Sequence, residues 1–258
     1  MCAWVGGKAK NADHILCVLN HPSFDSMEYV ELFVGMGHIL RRVKNKSSYS
    51  ASDNNELLIH LLKAIQEGKQ APHITREEYT RLKGETGVVS LERASAAITH
   101  SFNGKVWGGY THTYNRRDGR VDDIPEGRRK YYRKLQGSPS FMEACLACVE
   151  YREWEPTCGA LIYLDPPYAG TTQYGKAKFD SASFWAFAER LSMENLVFVS
   201  EYIAPEEDWV CVAMQEKSCC LAGGNKQDRR VEKLFVHRSA QNDMRWGATI
   251  SDMLREKS

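Results

Sequence analysis

The sequence contains no apolar run near the ~18 residues that a membrane-spanning helix requires, so no helical span is expected. Its start, MCAWVGGKAKNADHILCVLN, lacks the basic segment, apolar block and small-residue cleavage site of an export signal, so the expected location is the cytoplasm. Bulk charge of one sign is missing as well. The 34 Lys and Arg face 33 Asp and Glu for a net +1, which excludes coating of nucleic acid by overall positive charge. Eight cysteines are present, yet a cytoplasmic chain keeps its thiols reduced, which argues against a disulfide framework. No metal-ligand spacing stands out either. Cys145 and Cys148 lie in FMEACLACVEYREW, where a helix is expected from Phe141 to Tyr151, Cys219 and Cys220 are adjacent, and no His stands at a ligand spacing, so no metal is expected. The third glycine of a dinucleotide loop is absent, since His38, Ile39 and Leu40 follow Gly35 and Gly37, and this counts against a nicotinamide cofactor.

What is present is an alternation of strand and helix patterns. YVELFVGMGHILRRV predicts a strand from Tyr29 to Phe33, a turn at Gly35 and Gly37, and a helix-compatible continuation. SYSASDNNELLIHLLKAIQEG predicts a strand near Tyr49 to Ala51, a cap at Asp53 or Asn54, and a helix with Leu57, Leu58, Leu61, Leu62 and Ile65 on one face. After a lapse the plan resumes with the strand ALIYL, a helix around SASFWAFAERLS, the strand LVFVS and an antiparallel pair, WVCVAM and VEKLFVH, around GGNKQDRR. The predicted fold class is α/β, a mainly parallel sheet. Residues 1–69 and 141–237 are expected to form one domain, residues 70–140 an inserted and mainly helical recognition region, and residues 238–258 a polar tail.

Two stretches carry chemistry. A glycine turn leaving the first strand lets a ligand approach the backbone, and an acid closing the next strand accepts hydrogen bonds from ribose hydroxyls; Gly35, Gly37 and Asp53 fit that scheme. The second stretch is LDPPY. Pro166 and Pro167 fix φ, and Pro167 biases Pro166 away from the helical region, so the chain after Asp165 is a stiff extended hook. The hook holds the Asp165 carboxylate, the Pro166 carbonyl and the Tyr168 ring in fixed relation. The exocyclic amine of a nucleobase offers two N–H donors and a flat π-face, which suits that array. Two acceptors on its hydrogens localise a lone pair otherwise delocalised into the ring, and aim it at an electrophile.

AWVGGK, ELFVGMG, SDNN and LDPPY, in that order, resemble the motifs of the Dam-type DNA adenine methyltransferases, which use S-adenosylmethionine. The resemblance covers most of the chain and implies a Rossmann-like methyltransferase sheet. It implies that Trp4 and Lys8 line the cofactor and active-site pocket, that Phe33, Gly35 and Gly37 wrap the methionine end, and that Asp53 takes the ribose. It implies further that Asp165 borders the cofactor and, with the Pro166 carbonyl, holds the adenine amino group while Tyr168 stacks on the base. Tyr151 is a looser match, near the cofactor adenine. Cofactor motifs first and hook afterwards is the order of the adenine-N6 group; its compact forms occur in phages and in bacteria, where restriction-modification is one setting. The alternatives are cytosine N4 in DNA, RNA, or a silent DNA-binding relative.

The resemblance implies double-stranded DNA as the partner, and the charge distribution shows where a polyanion contact would concentrate. From Lys105 to Lys134 nine basic residues stand against four acidic ones. Lys105, Arg116, Arg117, Arg128, Arg129 and Lys130 suit phosphate contacts, and Trp107, Tyr110 and Tyr114 suit stacking or wedging once a base leaves the duplex, with Tyr131 and Tyr132 in the same stretch. Lys226, Arg229 and Arg230 form a second basic loop. A monomer or weak dimer is expected.

Overall fold

The computed structural model of the protein describes residues 7–8, 12–70, 72–111, 113–114, 121–122, 126–155, 158–168, 179–205, 207–218 and 229–255. In chain order the elements are α1 (Asp13–Leu19), β1 (Glu28–Leu32), β2 (Ser48–Asp53), α2 (Glu56–Gln66), α3 (Arg76–Gly84), α4 (Leu91–Ile98), β3 (Thr113–Tyr114), β4 (Val121–Asp122), α5 (Glu126–Gln136), α6 (Pro139–Met142), β5 (Cys145–Cys148), β6 (Leu161–Leu164), α7 (Ser181–Ser192), β7 (Leu196–Glu201), β8 (Trp209–Ser218), β9 (Arg229–His237), α8 (Ser239–Asn242) and α9 (Gly247–Arg255). Among the described residues no helix is long and apolar enough to cross a membrane.

A seven-stranded sheet has the order β5-β2-β1-β6-β7-β9-β8, and β3 and β4 form a separate hairpin. β1, β6 and β7 run parallel, in the register Leu32↔Leu164 and Leu164↔Val199. β9 runs antiparallel to both β7 and β8. This is a Rossmann-like α/β sheet, as the strand and helix alternation predicts. The central strands are apolar on both faces, and Val30, Leu32, Ile162, Leu164, Phe198 and Val199 are fully buried. β1 has β2 on one side and β6 on the other, so the strand order reverses at β1. In open α/β sheets ligands bind outside the carboxyl ends of strands at such a reversal.

The chain divides into two compact units, one comprising Met1–Ala9, Val34–Arg42 and Ala51–Tyr151, the other Lys10–Phe33, Val43–Ser50 and Arg152–Ser258. In the first, α2 starts where the Asn55 side chain accepts the Leu58 N–H at 3.1 Å, and its Leu58, Leu61 and Leu62 are completely buried. The cap is therefore Asn55, one residue past the predicted pair, because the Asp53 carboxylate is engaged elsewhere. α3 carries a reciprocal cap between Thr75 and Glu78 and packs Tyr79 and Leu82 with Ile74 and with Ala96 of α4. In the second unit, α7 begins on Asp180, which accepts the Ala182 and Ser183 N–H groups, and buries Phe184, Phe187 and Leu191. Trp246 and Ile250 are buried, and they anchor the stretch from α8 to α9 beyond Arg238.

Two expectations are corrected here. The predicted helix from Phe141 to Tyr151 is instead the short α6 followed by strand β5. Ser138 caps α6 through the Phe141 N–H, the turn ends by Glu143, and CLAC joins the sheet beside β2. Cys145 and Cys148 are exposed on that strand, and among the described residues no cluster of potential metal ligands occurs. The helix expected after Gly37 is a run of turns ending in one 3₁₀ turn at Leu40–Arg42, since positive φ at Gly35 and Gly37 interrupts helical geometry.

Candidate active site

At the end of β1 the backbone leaves ordinary strand geometry. Phe33 has φ +67°, and Gly35 and Gly37 have φ +50° and +68°. For glycine these angles cost little, whereas for Phe33 they are a strained conformation that its surroundings must hold. Its ring meets Phe184 and Phe179 edge-on at 6.0 and 6.3 Å between centroids. The glycine turn is tied to the end of β2: the Val34 N–H donates to the Ser52 carbonyl at 2.8 Å, and the Gly35 N–H to the Asp53 carboxylate at 3.2 Å. Asp53 also accepts the Asn55 N–H at 3.0 Å. Burial pushes the Asp53 carboxyl up from its ordinary value, and the Asn55, Gly35 and Asn54 backbone donors offset part of that shift. A half-buried carboxylate in this state gains from further donors, which a vicinal diol supplies. Behind the turn, Tyr131 of α5 donates its phenolic hydrogen to the Met36 carbonyl at 2.8 Å, and Leu135 and Phe141 lie against Gly37. Lys8 is buried, as is Tyr151 just after β5.

The second constellation lies at the carboxyl ends of β1, β6 and β7. The register Leu32↔Leu164 sets Phe33 beside Asp165, one residue past each strand. Successive strand residues alternate faces, so Tyr163 and Asp165 share one face while Leu164 lies on the other. Asp165 is half-buried, Pro166 buried, Pro167 exposed and Tyr168 buried. The phenols of Tyr29, Tyr163 and Tyr168 are all held well above the usual range, by burial first, with the negative charge of Asp165 adding to each. The three phenols therefore stay neutral and bond to other partners. Tyr29 donates to Glu31 at 2.8 Å, and Tyr163 pairs with Ser200 at 2.8 Å. Tyr168 donates to Glu232, a completely buried acid on β9, and meets the Tyr202 ring edge-on at 4.7 Å. The strand end thus carries a half-buried carboxylate followed by an aromatic ring held by Glu232 and Tyr202.

Residues 4–96 match the family model of the D12 class N6 adenine-specific DNA methyltransferases. Over that span, the first third of the chain, the protein is similar to the D12 class. The matched span contains Trp4, Lys8, Phe33, Gly35, Gly37 and Asp53 and ends before the Asp165 corner, so the D12 family match and the geometry at β6 bear on different residues. No curated protein matches the chain. The D12 activity, methylation of adenine N6 in DNA, agrees with the reading of the motifs.

The residues expected from the sequence to contact DNA fall in the first unit, apart from the second basic loop. Lys105 is exposed, as are Arg129 and Lys130 on α5. Trp107 and Tyr110 are half-buried and brace the helices of the inserted region. Trp107 has φ +54°, lies edge-on to Tyr79 at 5.4 Å and carries the Arg93 guanidinium at 5.3 Å. Tyr110 donates to the Ile74 carbonyl at 3.0 Å. Tyr131 and Tyr132 are buried on the inner side of α5, so the wedging role considered for them is corrected to packing. Trp4, Arg116, Arg117 and Lys226 lie outside the described residues, as do the side chains of Tyr114, Arg128, Arg229 and Arg230. Glu232 and Tyr202 escaped sequence reasoning. The signal for Glu232 was present as an acid on the inward face of VEKLFVH, where an apolar residue is expected.

Proposed function

We propose that this chain transfers a methyl group from S-adenosylmethionine to the N6 amine of an adenine extruded from double-stranded DNA. The observation that carries the reading is the register that sets the strained Phe33, one residue past β1, beside Asp165, one residue past β6. When bound, the cofactor supplies an electrophilic methyl group on a sulfonium centre. The half-buried Asp53 fits its ribose, the backbone freed by Gly35 and Gly37 fits the methionine end, and Phe33, Lys8, Trp4, Tyr151 and Asp165 complete the lining. Asp165 and the Pro166 carbonyl accept the two amine hydrogens, while Tyr168 supports the base by stacking. Asp165 acts as an acceptor and an electrostatic partner more than as a strong base, because the amine turns acidic only as it becomes alkylated. Extrusion costs a few kcal/mol, and contacts from Lys105, Arg116, Arg117, Arg128, Arg129, Lys130 and the Lys226–Arg230 loop offset it, with Trp107, Tyr110 and Tyr114 nearby.

The test is a pair of measurements on wild type and Asp165→Ala: cofactor binding by calorimetry, and methyl transfer to unmethylated DNA. The variant should bind the cofactor with a modest loss and transfer no methyl group. Near-normal transfer by the variant removes Asp165 from the mechanism.

A further inference from the structure

We propose that Glu232 is a positioning residue for methyl transfer: by accepting the phenolic hydrogen of Tyr168, it fixes the ring on which the target base stacks. This rests on the reading above that Tyr168 is the stacking surface. The strand registers place the acid there. Leu164 pairs with Val199, so Ser200 falls beside Asp165, and Ser200 pairs with Leu234 of β9. Counting back two residues keeps the same face, so Glu232 lies on the face of the sheet that carries Tyr163 and Asp165. The register Glu201↔Lys233 puts Tyr202 opposite Glu232, and Tyr202 is the residue whose ring meets Tyr168 edge-on.

The physical need is specific. Tyr168 lies four residues beyond the end of β6, outside the sheet, so backbone hydrogen bonding does not fix its ring. A tyrosine has two rotatable side-chain torsions, and a bond from its terminal oxygen to a strand-borne acceptor restrains both. A carboxylate is an acceptor without donors of its own, so it takes the phenolic hydrogen and leaves the phenol no choice of role. Glu232 is completely buried and Tyr168 nearly so, and a buried carboxylate is costly unless a donor meets it. The acid is thus retained at a cost to stability that an apolar residue would avoid, which points to a functional reason for it. Tyr202, with its ring plane at 80° to that of Tyr168, adds a second contact that holds the ring.

Four variants test this by single-turnover methylation, with KM for DNA and the cofactor Kd measured alongside. Tyr168→Phe keeps the ring and removes its bond, and Glu232→Gln keeps an acceptor. Glu232→Ala removes the acceptor, and Tyr168→Ala removes the stacking surface. Displacing a reacting group by about 1 Å costs on the order of 100-fold in rate. Glu232→Ala and Tyr168→Phe should each lower the transfer rate by roughly 10- to 100-fold, with cofactor Kd within about 2-fold and Glu232→Gln largely restored. The double variant Glu232→Ala with Tyr168→Phe should be no slower than either single one, since both remove the same bond. Multiplying losses in the double variant, or a normal rate in Tyr168→Phe, overturns the inference. Should Glu232→Ala not fold, Tyr168→Phe and Glu232→Gln still decide it, because neither empties the strand. Unimpaired transfer by Tyr168→Ala defeats the stacking reading itself, whereas loss there with normal Tyr168→Phe and Glu232→Ala rates defeats only the role of Glu232.

Discussion

Asp53 and His38 show what burial does to single ionisable groups. The Asp53 carboxyl is raised by desolvation while backbone donors pull it back, so a ligand hydroxyl adds a bond the acid lacks in the free protein. Hydrogen bonds to a charged group contribute about 1.5–3 kcal/mol, so Asp53→Ala should weaken cofactor binding by roughly 10- to 100-fold by calorimetry. An unchanged Kd would remove Asp53 from the binding set. His38 is 4% exposed, and neither ring nitrogen finds a hydrogen-bond partner among the described residues. Burial, then the charges of Arg41 and Lys8, lower it from 6.5 to about 4. In the unfolded chain the same imidazole binds its proton near pH 6.5, so between there and about pH 4 the unfolded state holds more protons and stability falls with falling pH. The effect is on the order of 3 kcal/mol at most. Urea titrations at pH 7 and pH 4.5 should show a smaller loss of stability for His38→Gln than for wild type. An equal loss in both would place the acid sensitivity elsewhere.

Turns and caps are the elements on which the site depends. Gly35 sits at positive φ between a strained Phe33 and the Asp53 carboxylate, and a non-glycine residue in that region costs roughly 1–2 kcal/mol. Gly35→Ala should lower the melting temperature and weaken cofactor binding together, whereas Asn55→Ala, which removes a helix cap worth about 1 kcal/mol, should lower stability with little effect on binding. Thermal melts with and without cofactor separate the two. The sequence reveals this machinery unevenly. LIYL and LVFVS are short apolar runs bounded by turn signals and SASFWAFAERLS has a helical period, and each forms the element its pattern predicts. CLACVEYREW does not, because a four-residue edge strand of small side chains carries too few positions to show alternation, and pairing with β2 decides its state. Glu232 and Tyr168 are 64 residues apart, and only strand order brings them together.

At the scale of the whole molecule, near-neutral charge and local basicity together predict a salt-sensitive but limited DNA footprint. Each phosphate contact contributes about 0.9 to the slope of log affinity against log salt, so replacing the exposed Arg129 and Lys130 with Ala should flatten that slope by about 1.8 if both touch the backbone. An unaltered slope would remove α5 from the interface. The D12 match ends at residue 96, while the hook proposed to carry the chemistry follows β6, outside the matched span. The direct test joins the two. Wild type and Asp165→Ala are incubated with unmethylated DNA and methyl-labelled S-adenosylmethionine, the DNA is digested to nucleosides, and the labelled base is identified by mass spectrometry. N6-methyladenine from the wild type and none from Asp165→Ala is the predicted result; label on cytosine, or equal N6-methyladenine from both proteins, contradicts it.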